Sequence, residues 1–208
     1  MINLEWEELD RLEIEEKVQE VLDYSYNTWM SDKKNIRYFV RAFYIRWDML
    51  VDMYEVEDDE TEGDKLKYMY DFGISELGNI TEVDWIMGYC MEINPIYFEV
   101  NDNYLELEAK GKEMLRNVAI NNRDDVFLTS FGLPEKESLK WKRANREQLI
   151  QYGEDNFSYD SEFSSYFKYI INCRSDEELE KESFLRKILR RWKKRYGGDR
   201  FYAHFNER

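Results

Sequence analysis

An all-α fold follows from three observations. Apolar residues recur at three- and four-residue steps along most of the chain, the repeat of a helix with one buried face. Only two prolines and nine glycines occur in 208 residues, so long helices run without a breaker. Hydrophobic residues make up 43 % and aromatics 16 %, enough apolar material for a real core despite 36 % charged residues and a mean hydropathy of -0.78. The expected architecture is seven to nine helices packed as antiparallel pairs in one domain spanning 1–208, with a possible subdomain break near 124–138.

The elements can be taken in order. Ile14, Val18, Val21, Leu22, Ser25 and Trp29 share one helical face. Ile36, Phe39, Val40, Phe43, Trp47, Leu50, Val51 and Tyr54 define a second helix. Residues 51–64 (VDMYEVEDDETEGD) hold eight acids and no base, and they interrupt the pattern. Gly63 then precedes a third helix through Leu66, Met69, Tyr70, Ile74 and Leu77, which Gly78-Asn79 should stop. Thr81 can cap a fourth, with Asp84 near its positive end, through Trp85, Ile86, Tyr89, Cys90 and Ile93 up to Pro95. Residues 103–121 form a fifth, burying Leu107, Gly111, Met114, Leu115 and Val118. The stretch FLTSFGLPEKE reads as a break. Beyond it come a helix carrying Trp141, Ala144, Leu149 and Ile150, and one opened by Ser161 through Phe163, Tyr166, Phe167 and Ile170. A capping box at Ser175–Glu178 starts the last, through Leu179, Phe184, Ile188 and Trp192.

Charge is distributed unevenly. The chain has 45 Asp and Glu against 30 Lys and Arg, for a net charge of -15. Residues 185–208 hold nine bases (Arg186, Lys187, Arg190, Arg191, Lys193, Lys194, Arg195, Arg200, Arg208) and two acids, so the preceding 184 residues carry an excess of 22 acids. Such a body repels nucleic acid and anionic membranes and attracts basic surfaces, with rates that salt screens. The basic tail surrounds an apolar stripe of Phe184, Ile188 and Trp192, and two readings stand: a core-facing helix whose bases complement the acidic body, or a face for nucleic acid or anionic membrane. No segment approaches the ~20 apolar residues of a membrane span. The opening residues have neither a basic start nor an apolar run, so no signal peptide is expected. Two distant cysteines, Cys90 and Cys173, suit buried free thiols in a reducing compartment better than a disulfide framework. A cytoplasmic location is the expectation.

Catalytic chemistry finds little to stand on. His204 is the sole histidine, so Ser-His or Cys-His catalysis would depend on it alone, and no nucleophile elbow or cysteine signature accompanies it. One histidine and two distant cysteines do not make a zinc site. Asp58, Glu60, Glu62 and Gly63 fit positions one, three, five and six of a calcium loop, but Met69 falls where a bidentate glutamate is needed. No glycine-rich phosphate loop is present. The expectation is a protein that is not an enzyme and uses no cofactor or metal.

The segment WIMGYCMEINPIYF (85–98), followed by a helix ending GKEMLRNVAINNRDD (111–125), carries two resemblances. The second part resembles the latter half of a tetratricopeptide unit, where small residues (here Gly111 and Ala119) lead to a polar turn. That implies a right-handed helix-pair packing, and with no second copy a repeat array is not expected. Together with the later SSYFKYI, the region 81–171 resembles helical immunity proteins of bacterial contact-dependent and polymorphic toxin systems. That resemblance implies a cytosolic antidote that binds one toxin domain, in many cases a nuclease, and masks its basic cleft. It supplies no matching contact residues. The acidic run reads either as a solvated loop or, on charge alone, as the contact surface, formed by Asp52, Glu55, Glu57, Asp58, Asp59, Glu60, Glu62 and Asp64, with Tyr54 as an anchor and Tyr68 and Tyr70 nearby. The expected partner is a basic toxin or nuclease protein, without direct nucleic-acid or membrane contact. A phage or mobile-element inhibitor of a host nuclease or defence complex would use the same acidity, whereas a helical adaptor would need a continuous concave face to bind peptides.

Overall fold

A computed structural model of the chain describes residues 1–51, 56–98 and 104–175, without the side chains of 135, 136, 138, 139 and 172–175. Among these residues the regular structure is entirely helical. There are ten α-helices: α1 (Glu7–Ile14), α2 (Val18–Ser31), α3 (Ile36–Val51), α4 (Asp59–Glu76), α5 (Thr81–Ile93), α6 (Tyr104–Asn121), α7 (Val126–Gly132), α8 (Glu135–Ala144), α9 (Arg146–Asn156) and α10 (Glu162–Ser175). One 3-10 turn, Ile96–Phe98, follows α5. The capping box at 175–178, the last helix, the basic tail and His204 lie outside the described residues, as does the side chain of Cys173.

Two helices form the centre. α3 buries eleven of its sixteen residues and α5 eight of its thirteen, so both are enclosed on nearly every side. Around them one continuous core runs from Leu4 to Ile171. Aromatic rings dominate it: Tyr44 meets Phe163 edge-on at 5.0 Å, and Trp85 lies 4.8 Å from Phe167 and 5.2 Å from Phe127. Such tilted and edge-to-face pairs are the favoured geometry for rings with opposed face and edge charge. A smaller cluster (Trp6, Leu9, Leu12, Val21, Leu22, Ile45 and Met49) glues α1 and α2 to one side of α3.

α5 and α6 share the most extensive contact of the described helix pairs, and glycine lets them approach. A Cβ on Gly88 would lie 3.0 Å from the carbonyl oxygen of Gly111, and one on Gly111 would lie 2.7 Å from that of Gly88 and 2.8 Å from the nitrogen of Glu92. On its other flank α6 meets α7, where a Cβ on Gly132 would collide with Ala119 and the backbone at Leu115. Gly111 therefore sits at the contact of α6 with α5, and Ala119 at its contact with α7.

Several boundaries differ from the periodic reading. The first helix is two, because Glu16 takes a left-handed conformation (φ 55°) that closes α1 with a Schellman pair of hydrogen bonds, Glu16 N to Glu13 O and Lys17 N to Leu12 O. Ile14 is consequently exposed. Gly63 lies inside α4 and does not precede it. On that helix Gly73 faces the core, while Ile74 is exposed. Thr81 is the first residue of α5 rather than its cap, since Ile80 holds the cap position without a side-chain hydrogen bond. The stop at 78–79 is as expected, with Asn79 taking the positive φ (72°). The stretch 124–138 contains α7, with Phe127, Leu128 and Phe131 in the core, so it is a packed element and not an open break. The Trp141–Ile150 segment divides into α8 and α9 at Asn145.

Candidate functional site

The acidic run is the start of α4. Asp58 is its N-cap: Oδ1 accepts from the Thr61 backbone N–H (3.0 Å) and Oδ2 from the Thr61 hydroxyl (2.7 Å). These donors, backbone first, hold the Asp58 carboxyl below its ordinary range. Asp59 and Glu60 follow in the first turn, where the unpaired N–H groups of the helix favour negative charge. Glu57, Asp59, Glu60 and Asp64 are exposed, and among the described residues none of them has an ion pair.

Glu62 departs from the expected set. It turns inward and is 2 % exposed. Its Oε2 accepts from Arg46 Nε at 2.7 Å and its Oε1 from Lys65 Nζ at 2.6 Å. Arg46 is fully buried; it also donates to the Leu22 carbonyl (2.8 Å) and places its guanidinium 4.7 Å from the Tyr26 ring. A buried guanidinium without a carboxylate would be strongly destabilising, so Glu62 serves the fold and fastens α4 to α2 and α3. Burial works against its ionised form, but Arg46 and then Lys65 outweigh that and hold its carboxyl below the ordinary value. Asp52, Tyr54 and Glu55 lie outside the described residues. Of the neighbouring tyrosines, Tyr70 is half-buried against Phe98 and accepts from Lys110 Nζ (2.8 Å). Tyr68 is 41 % exposed, two helical turns beyond Glu60 and one beyond Asp64 on the same face.

A second buried charge cluster escaped the sequence reading. Arg41, fully buried on α3, pairs with Asp10 (2.7 Å) and Glu13 and donates to the Leu4 carbonyl (3.0 Å). The other oxygen of Glu13 accepts from the backbone N–H of Glu162 (2.9 Å) and Phe163 (3.4 Å), so a side chain of α1 caps α10 across 149 residues. Burial pushes the Glu13 carboxyl up, with Arg41 opposing. The available signal was the pair of arginines inside the apolar run FVRAFYIRWDML, which forces acids to be brought in from elsewhere.

A cavity of about 450 Å³ opens over α9, lined by Val126, Glu147, Gln148, Gln151, Tyr152, Asp155 and Asn156, with Gln151 donating to Asp155 (2.8 Å). Cys90 is a free thiol in the core, raised well above its ordinary pKa by burial. Among the described residues no three His, Cys, Asp or Glu side chains gather in a way that could hold a metal ion, and no helix is long and apolar enough to cross a membrane. No family model, curated protein or solved structure matches this chain.

Proposed function

We propose that the protein is a non-enzymatic inhibitor of the immunity type, which binds a basic toxin, a nuclease domain, and covers its substrate cleft. One observation carries this reading. Glu57, Asp59, Glu60 and Asp64 project from the start of a helix without ion-pair partners among the described residues, and the buried Arg46–Glu62 pair fastens that helix. Carboxylates at fixed helical spacing on an acidic body offer a nuclease cleft what it is built to hold, a row of negative charges. Steering by the surrounding charge raises the encounter rate, and shape at the contact decides which toxin is recognised. Glu62 is committed inward and drops out of the phosphate-mimic row, while Asp58 is exposed and charged and also holds the helix cap.

The test reverses Glu57, Asp59 and Glu60 to lysine and leaves Asp58 and Glu62 in place. Partners are sought by co-expression with the neighbouring open reading frames and capture at low and high salt. A captured basic toxin whose activity is blocked is the expected result. The triple variant should then associate about tenfold or more slowly at low salt, with thermal stability nearly unchanged. Unaltered association kinetics at low salt would remove this surface from the interface.

A further inference from the structure

Next to the exposed acids is a group of rings that already holds an ammonium. Lys33, in the turn between α2 and α3, places its Nζ 5.1 Å from the ring centre of Tyr68, 5.8 Å from that of Phe72 and 5.9 Å from that of Trp29. It also donates to the Tyr68 hydroxyl at 2.7 Å. Trp29 is fully buried beneath them and meets Phe72 edge-on at 5.5 Å, while Tyr68 stands 41 % exposed above. At 2.7 Å from the Tyr68 hydroxyl and 5.1 Å from that ring's centre, the ammonium sits at the hydroxyl edge of Tyr68 and leaves that ring's face open, while its approaches to Phe72 and Trp29 lie at the outer end of the range for a cation near a ring.

The surroundings match that chemistry. Along α4, Glu60, Asp64, Tyr68 and Asp71 follow at steps of four, four and three residues, one exposed ridge with the tyrosine between carboxylates. Of these acids Asp71 is engaged by Lys67 (2.9 Å).

We infer that the rings of Trp29, Tyr68 and Phe72 are the anchor seat for an arginine or lysine side chain of a basic protein partner, and that Lys33 occupies the seat until the partner displaces it. This rests on the inhibitor reading above, and it moves the specific part of the interface from the tip of α4 to its outward face. A guanidinium suits the exchange, because it is less strongly hydrated than an ammonium and stacks flat on aromatic faces. The acids of the ridge supply attraction, and the seat supplies selection.

The experiment uses the full chain and a hexa-arginine peptide, with binding followed by calorimetry and by the indole N–H resonance of Trp29. Lys33→Ala and Lys34→Ala remove the same charge from adjacent positions, but only Lys33 fills the seat; Lys34 is exposed. Lys33→Ala should bind the peptide several-fold more tightly than Lys34→Ala and shift the Trp29 resonance. That advantage should vanish when Tyr68→Ala is added. Equal affinities for the two lysine variants, an advantage that survives Tyr68→Ala, or no binding by any variant would each overturn the seat. The peptide reports on the seat without any toxin, so its failure is distinct from a failure to find an inhibited partner. A captured toxin indifferent to both Lys33→Ala and Tyr68→Ala would sink the seat and leave the inhibitor reading standing.

Discussion

At the scale of single residues, this acidic protein spends part of its charge inside. Glu62 shows how its position decides its role. Its carboxyl is held below its unfolded value of 4.5 by Arg46 and Lys65, so the folded state binds its proton less readily than the unfolded chain does. The stabilisation from this group is therefore complete above about pH 4.5 and is lost as pH falls through the folded value. Glu62→Gln should cost about 3 kcal/mol at neutral pH, since Arg46 is left buried without a counter-charge. It should also flatten the acid limb of the stability profile. Urea midpoints measured from pH 7 down to pH 3 check both effects, and an unchanged slope below 4.5 in the variant would contradict the assignment.

At the scale of elements, glycine has opposite meanings in α4 and α6. Gly63 is in an open part of α4, where an added Cβ would have nothing within 4 Å, so Gly63→Ala should stabilise by about 0.5–1 kcal/mol through helix propensity alone. Gly111 faces the backbone of α5 at 2.7–2.8 Å, where nothing can yield. There the same change should destabilise by about 1–3 kcal/mol, because crowding exceeds the propensity gain. Thermal melts of the two variants should move in opposite directions. A shift of the same sign in both would mean that α5 and α6 do not approach as described.

At the scale of the whole molecule, the Glu13 bridge joins the first helix to the tenth. With the continuous core from Leu4 to Ile171, it predicts that the described body unfolds as one unit. Glu13→Ala removes one of the two carboxylates paired with buried Arg41, leaving Asp10, and uncaps α10, and should cost about 1–3 kcal/mol. Urea unfolding followed by far-ultraviolet dichroism and by tryptophan fluorescence should still give coincident single transitions, with a lower midpoint and a similar slope. Two separated transitions would instead divide the chain into independent parts.

The sequence by itself determined the helical class and most helix centres, because an apolar stripe of helical period has few other ways to be buried. Gly78-Asn79 and Ser161 acted as the terminator and opener they resemble, with Ser161 Oγ accepting from the Ser164 N–H at 3.0 Å. It also located the acidic run, since charge can be counted along a chain. Only the tertiary structure decided what each acid does. Whether a carboxylate faces water, caps a helix or meets a buried guanidinium depends on residues remote in the chain. Glu62 was separated from its exposed neighbours by Arg46 sixteen positions away, and Glu13 was drawn inward by Arg41 and the start of α10. The ring seat of Lys33 was illegible for the same reason: Trp29 and Tyr68 are 39 positions apart, and only the packing of α2 and α4 on α3 brings their rings to within 5.9 Å.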